Sequence, residues 1–294
     1  DTMNITLTAA SAVTPTIANV ENINVDLDYF TGTTADFDAT NVTGATITVS
    51  SSKLGFNGVS GVANAGRNAV VAGENVDDLT VTGINGGSVN TGSAADANLT
   101  AAAATSDVSV TVNGDIDLVL SNAFDEVTLT ATADADVDLT GSITADIITV
   151  EGDSSVVISG AETQSTGEIV GALTTGTVTA DIDATGAVDA DEWDVDTIRL
   201  SADVGGIVDV ANGANVQVAT AQTGLTLNVA GTGTADEVNV SVAADTDLTG
   251  TGIEVTNIAV TDEVTFAQII TGDKVVLTGS SDVTVTTTAS DDFD

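Results

Sequence analysis

Short runs of Val, Thr and Ile, separated by Gly, Asn and Asp, recur along nearly the whole of this 294-residue chain. β-Branched side chains are stiff at χ1 and pack well on a pleated surface, so such runs favour strands over helices. Alternating strands are expected at residues 3–8, 20–27, 46–50 and 79–84. From residue 126 the runs return about every ten residues, at 126–130, 136–139, 146–150 and 155–159. After 177–182 they resume at 197–200, 207–210, 216–218, 225–229 and 238–242, then at 274–277 and 283–287. The Gly- and Asn-rich segments 55–66 and 86–95 read as loops, and the Ala run 101–104 is too short for a helix. The chain is expected to be all-β.

Regular short strands with turn residues between them build a sandwich, a barrel or a solenoid. Aromatic residues make up 3% of the chain, whereas a sandwich anchors its core on Trp and Tyr. A solenoid fills a narrow interior with stacked Val, Ile, Leu and Ala, which this sequence supplies. The expected architecture is an elongated parallel β-solenoid (β-helix) running through residues 1–294 as a single segment. A string of antiparallel β-sandwich domains is the alternative. Asn113-Gly114, between SVTV and DIDLVL, and Asn212-Gly213 carry the signature of two-residue hairpin turns. Asn113-Gly114 equally fits a tight solenoid corner. The single proline, Pro15, marks no linker.

The charge is one-sided. Forty-four acids face four bases, Lys53, Arg67, Arg199 and Lys274, for a net charge of -40. Nucleic acid is excluded as a partner, because phosphate needs a basic footprint; anionic membrane surfaces are disfavoured for the same reason. Disordered acidic chains lack apolar content, but 42% of this chain is hydrophobic and its mean hydropathy is +0.29, so it folds. Cysteine is absent, which removes disulfides and thiolate metal sites. No apolar run is long enough for a membrane-spanning helix. The closing residues 290–294 carry no domain-ending pattern and fit one piece of a longer protein.

Many acids are spaced by two: Asp26/Asp28, Asp36/Asp38, Asp115/Asp117, Asp134/Asp136/Asp138, Asp181/Asp183 and Asp245/Asp247, with Asp189, Asp191 and Asp194 in the most acidic stretch, 188–196. Alternate strand residues point to one face, about 6.5–7 Å apart. Carboxylates so placed repel one another, and the chain has almost no Lys or Arg to lie between them. The counter-charge is expected from solution. Calcium (Ca²⁺) suits best, taking six to eight oxygens with flexible geometry. Zinc, copper and nickel want imidazole or thiolate, and His and Cys are both absent. A solvated acidic coat is the other reading of any single pair.

Two stretches carry a resemblance. GIEVTNIAVTD (252–262) and VENINVDLD (20–28) each place a Glu shortly before an Asn that is followed by an aliphatic residue, and each runs out into acid. This resembles a strand repeat of the RTX-related, calcium-dependent surface-layer (S-layer) proteins of Gram-negative bacteria. The match covers about a dozen residues, twice; elsewhere the chain is similar in texture only. The family's nine-residue calcium repeat is not present in full, and Gly73-Glu74-Asn75-Val76-Asp77-Asp78-Leu79 is its nearest approach. The resemblance implies a β-solenoid, Ca²⁺ binding, and an extracellular place at the cell surface.

Catalysis is not expected. Histidine, the commonest general base, is absent. Tyr29 and Trp193 are the only Tyr and Trp to serve as sugar platforms. No nucleophile elbow or phosphate loop is visible. The acids beside Trp193 are the one cluster worth testing. Sequons stand at Asn4, Asn41, Asn98 and Asn239, about as many as chance gives. The expected function is that of a structural, self-assembling extracellular protein, a segment of a calcium-stabilised bacterial surface layer. Its partners would be copies of itself in a lattice or filament, divalent cations, and a cell-surface glycan through another domain. An adhesin or a virion fibre or decoration module is the alternative.

Overall fold

In the paired strands, residues lie opposite their counterparts one coil earlier, and the fold follows from which residues are stacked in this way. The computed structural model describes residues 1–9, 13–28, 37–52, 59–92, 94–103, 106–122, 124–140, 145–160, 167–173, 175–229, 237–251, 255–260, 264–266, 274–279, 283–285 and 292–293. Among them there is no helix, and every strand pairing is parallel. Strands adjacent in a sheet are not consecutive in sequence over most of the chain, because a strand of another sheet intervenes. The chain is therefore a β-solenoid and not a string of antiparallel sandwiches. The ten-residue recurrence is half a coil: Asp96 lies opposite Asp117, and Asp117 opposite Asp138, each step being one full coil.

By internal contacts the chain falls into two compact units. The first comprises Asp1–Val156, Gln164–Gly167 and Ala172–Gly176. Its coils alternate between two sheets. One sheet carries Asn22–Leu27, Thr46–Ser51, Ala69–Ala72, Gly87–Asn90, Ser106–Val112, Phe124–Ala131 and Ala145–Gly152. The other carries Asp78–Ile84, Asp96–Ala101, Ile116–Ser121 and Ala135–Thr140. A single inward column of the first sheet runs Ile23, Ile47, Val70, Val89, Val110, Leu129, Val150, each opposite the next. All seven are at most 2% exposed, and full burial of such side chains stabilises by about 1.5–3 kcal/mol each.

The second unit comprises Val157–Thr163, Glu168–Gly171 and Thr177–Asp294. One of its sheets carries Val178–Ile182, Thr197–Leu200, Asn215–Val218, Glu237–Val242, Val255–Val260 and Lys274–Gly279. Its inward column is Ala180, Ile198, Val216, Val240, Ile258. A second sheet carries Val188–Ala190, Ile207–Val210, Gln222–Val229, Thr246–Thr251, Val264–Phe266 and Val283–Val285. The sole Trp, Trp193, is 4% exposed and pairs through its backbone with Ile169.

Several local expectations change. Asn113-Gly114 and Asn212-Gly213 are corners, not hairpins: the strands on either side belong to different sheets. At the first, Asn113 Nδ2 donates to Gly92 O of the preceding coil at 2.7 Å, and Thr132 Oγ1 of the next donates to Asn113 Oδ1 at 2.8 Å. The segments read as loops contain the strands Val59–Ala63 and Gly87–Asn90. Gly61 shows why: a Cβ there would collide with Thr80 O, so only glycine lets the coils close up. Both motif stretches contain a strand, Asn22–Leu27 in one and Val255–Val260 in the other. Residues 252–254 and 261–263, which hold the Glu and the closing acids of the second stretch, lie outside the described residues. So do Tyr29 and the last two positions of the strand expected at 283–287.

Two buried side-chain amides, Asn68 and Gln222, are satisfied, whereas the buried Trp193 indole N–H has no hydrogen-bond partner among the described residues. Asn68, 3% exposed, donates to Val42 O and Ala65 O and accepts from the Ala45 N–H. Gln222, also 3% exposed, accepts from Val204 N–H and donates to Ala202 O and Thr220 O. Each amide therefore ties together three backbone groups that a corner leaves out of the sheet ladders. Replacing Asn68 by Ala orphans the Ala45 N–H and Val42 O, while Ala65 O keeps the backbone N–H of residue 68, and one buried unsatisfied group costs about 1–3 kcal/mol. The expected loss is about 3 kcal/mol in urea denaturation; exposed Asn24→Ala, whose amide only touches Asn4, should stay within about 0.5 kcal/mol.

Candidate functional site

Acids meet across coils as well as along the chain. Asp78, Asp96, Asp117 and Asp138 lie opposite one another on four successive strands of the first unit. Strands are about 4.8 Å apart, nearer than the roughly 6.5–7 Å between alternate residues of one strand. The inward neighbours Leu79, Ala97, Leu118 and Leu139 form the column beneath, so alternation turns the four Asp side chains outward. Asp78 beside it and partial burial hold the Asp96 carboxyl above the ordinary carboxylate range; Asp117, on the other side, acts in the opposite direction. Sequence spacing pointed to Asp117 and Asp138 and missed Asp78 and Asp96. Comparing the sequence with itself one coil along would have found them.

A second group of acids has a different task, capping the next coil. Asp115 Oδ1 accepts the Asp136 N–H at 2.9 Å, and Asp134 Oδ1 accepts the Ser155 N–H at 2.8 Å. Asp26 Oδ1 accepts the Ser52 N–H at 2.8 Å, and Asp203 takes the Thr223 N–H at 2.9 Å together with its hydroxyl. Those bonds hold Asp203 below the ordinary range, the Thr223 hydroxyl contributing most. Asp38 is pushed lower still, to about 2, by the Thr40 hydroxyl at 2.6 Å, then the Asn64 amide and the Thr40 N–H. These carboxylates act as charge-assisted acceptors for backbone that the ladder does not use.

The remaining expected site residues divide. Asp28 follows the strand Asn22–Leu27, and Asp183 follows Val178–Ile182. Asp181, its side chain 12% exposed, lies opposite Arg199, 43% exposed, whose guanidinium is 3.8 Å from it. Asp189 lies opposite Asp209. Burial, Asp189, Glu192 and Asp209 together raise Asp191. Asp194 faces away from this group in pairing, opposite Val170, and Trp193 is buried rather than offered as a platform. Asp245 is an exposed corner residue. Asp36 lies outside the described residues, as does the side chain of Asp247. Glu74-Asn75, in the nearest approach to a calcium repeat, is a corner at which Asn75 takes φ 57° and donates to Ser51 O.

Among the described residues, no three carboxylates converge on a point in the manner of a preformed cage. The rows instead offer pairs of carboxylates at coil spacing, open to solvent. A cation here would lie between rungs and complete its shell with water, which Ca²⁺ accepts. No family model, curated protein or solved structure matches the chain.

The two kinds of acid should respond differently to substitution and to pH. Asp134→Ala should cost about 1 kcal/mol, the ordinary net value of one hydrogen bond, while Asp134→Asn, which keeps an acceptor oxygen for Ser155, should cost much less in the same denaturation series. In calcium-free buffer the pH dependence has two limbs. Asp96 and Asp191 are raised, so their contribution is full below the unfolded value of about 3.9 and is lost as pH climbs through their folded values. Asp38 and Asp203 are lowered, so theirs is present above that value and is lost as pH falls, for Asp38 toward about 2. The melting temperature should therefore rise on acidification from neutrality and fall again as Asp38 protonates. Asp96→Asn should flatten the first limb and leave the second.

Proposed function

We propose that this chain is a structural, self-assembling extracellular protein, a segment of a calcium-stabilised bacterial surface layer. The observation that carries the reading is the row Asp78, Asp96, Asp117, Asp138, four carboxylates at coil spacing in a chain with four bases. Like charges directly opposite one another destabilise a sheet. A divalent cation between rungs reverses the sign of that interaction, and a cation between two molecules joins them by the same chemistry. A stack of parallel coils held in this way needs no catalytic site; its activity is mechanical. Copies of the chain and divalent cations are the partners, the cell surface is the place, and a surface glycan would be engaged through another domain.

Bridging by Ca²⁺ differs from screening, which acts over about 8 Å at physiological salt and treats all charges alike. Millimolar Ca²⁺ should raise the melting temperature and drive association into sheets, seen by electron microscopy, and a chelator should reverse it. Binding to the native state alone contributes RT ln(1 + [L]/Kd), about 2.7 kcal/mol per site at a hundredfold excess. Asp96→Asn with Asp117→Asn should raise stability without calcium and lower the calcium gain. Equal melting temperatures and particle sizes in Ca²⁺, Mg²⁺ and ionic-strength-matched NaCl would remove the mechanism. Filaments growing along one axis would favour the fibre reading.

A further inference from the structure

The second unit carries a surface of opposite character to the acidic row. On the outer face of the sheet containing Asn215–Val218, Asn215, Asn239 and Asn257 lie opposite one another on successive strands. Beside them runs a second row, Gln217, Ser241, Ala259, Thr278. These two rows, with Thr197 on a fifth strand, line a groove of about 500 Å³ that crosses five strands, and not one lining side chain is charged. Arg199, beyond Gln217 in the second row, stands beside Asp181. At about 4.8 Å between strands the groove is about 19 Å long. In a chain of net charge -40, an uncharged groove this long excludes what the rest of the surface attracts. A cation finds carboxylates elsewhere and none in this lining.

The hydrogen-bonding capacity of the groove is only partly used. Asn257 Nδ2 donates to Asn239 Oδ1 at 3.0 Å and to Glu237 at the margin, and Asn215 Nδ2 donates to Asp196 O at 3.1 Å. Among the described residues the Gln217 amide, the Ser241 hydroxyl and Asn239 Nδ2 make no hydrogen bond of their own. An amide offers both donors and an acceptor, and a hydroxyl does the same. The ligand that matches a ladder of such groups is itself a ladder of donor–acceptor groups without charge.

We infer that this groove binds an uncharged polysaccharide, laid across the strands with about one sugar ring to each coil. The coil spacing is close to the length of a pyranose unit, so successive rings meet successive Asn and Gln/Ser rungs in the same way. A polyanion is repelled by the surrounding acids. A peptide strand would seek an open sheet edge for its backbone, and this face offers none. Without an aromatic surface in the lining, each ring adds little, and affinity must accumulate with chain length. This binding uses no calcium and does not depend on assembly, so it stands or falls separately from the surface-layer reading.

The test uses the full chain in calcium-free buffer, with affinity gel electrophoresis in dextran, mannan and soluble β-glucan, and titration with oligosaccharides of increasing length cut from whichever retards it. The expected result is retardation by at least one of the three, stronger for longer chains and insensitive to NaCl. Gln217→Glu with Asn239→Asp, which places two carboxylates in the groove, should weaken binding at least tenfold; the milder Gln217→Ala at an exposed position should weaken it severalfold with an unchanged circular dichroism spectrum. Asn90→Asp, on a sheet of the first unit, should change nothing. No retardation by any of the three polysaccharides overturns the proposal, as does retardation that survives the groove variants. If the groove variants abolish assembly while sugar binding is absent, the groove seats a second copy of the chain and the polysaccharide reading fails.

Discussion

Parallel coils in register put like on like, and everything else in this protein answers to that constraint. The backbone ladder sets neighbouring strands about 4.8 Å apart, so whatever occupies a position meets whatever occupies it one coil later. In the interior this is favourable without further conditions: the column from Ile23 to Val150 stacks aliphatic on aliphatic and leaves no room for water. On the outside the same geometry is indifferent to chemistry, and the side chain decides the sign. Amides stacked on amides attract, as Asn257 on Asn239 does. Carboxylates stacked on carboxylates repel, as at Asp78, Asp96 and Asp117.

The chain relieves that repulsion in ways that differ by place. At corners a carboxylate is turned onto a backbone N–H of the next coil, as Asp134 is onto Ser155 and Asp26 onto Ser52. The negative charge then has a fixed donor and serves the fold. Within the row, the Asp78 carboxyl beside it and partial burial raise Asp96, so this group keeps its proton to a higher pH than an isolated carboxylate does. Arg199 beside Asp181 is a third device, used where one of the few bases happens to fall. Each device acts on one carboxylate at a time, whereas the row repeats from coil to coil.

Strand type and architecture were legible because they depend on local chemistry: alternation, β-branching, and the scarcity of aromatic residues. The hairpin signature of Asn113-Gly114 failed for a nonlocal reason. Asn-Gly favours a tight turn in either setting, and it is the neighbouring coil, through Gly92 O and Thr132, that makes this one a corner. The segments around Gly61 and Gly87 were obscured in the same way, since glycine there serves close approach between coils rather than a loop. The acids were read along the strand, where spacing by two is visible, while the nearer neighbour lies one coil away. Asp96 carries no local signal, and Asp78 none beyond its place in the stretch from Gly73 to Leu79; their relation exists only once the register is known.

Capping and cation binding do not exclude each other at a corner. A carboxylate has two oxygens with about four lone-pair positions, and Asp134 gives one oxygen to Ser155 N–H. The second oxygen remains exposed at the coil edge, with Asp115 one coil below it making the same use of Asp136 N–H. The cap fixes the direction of each carboxylate, so the free oxygens of successive corners are held in place rather than left to rotate apart. Pre-ordering of this kind lowers the entropy lost when an ion arrives. It also makes the two roles separable by chemistry, because an Asn at such a corner keeps the acceptor that the fold requires and removes only the charge that an ion would recognise. The structural and the ionic contributions of the corner acids thus reside in the same side chains but in different properties of them.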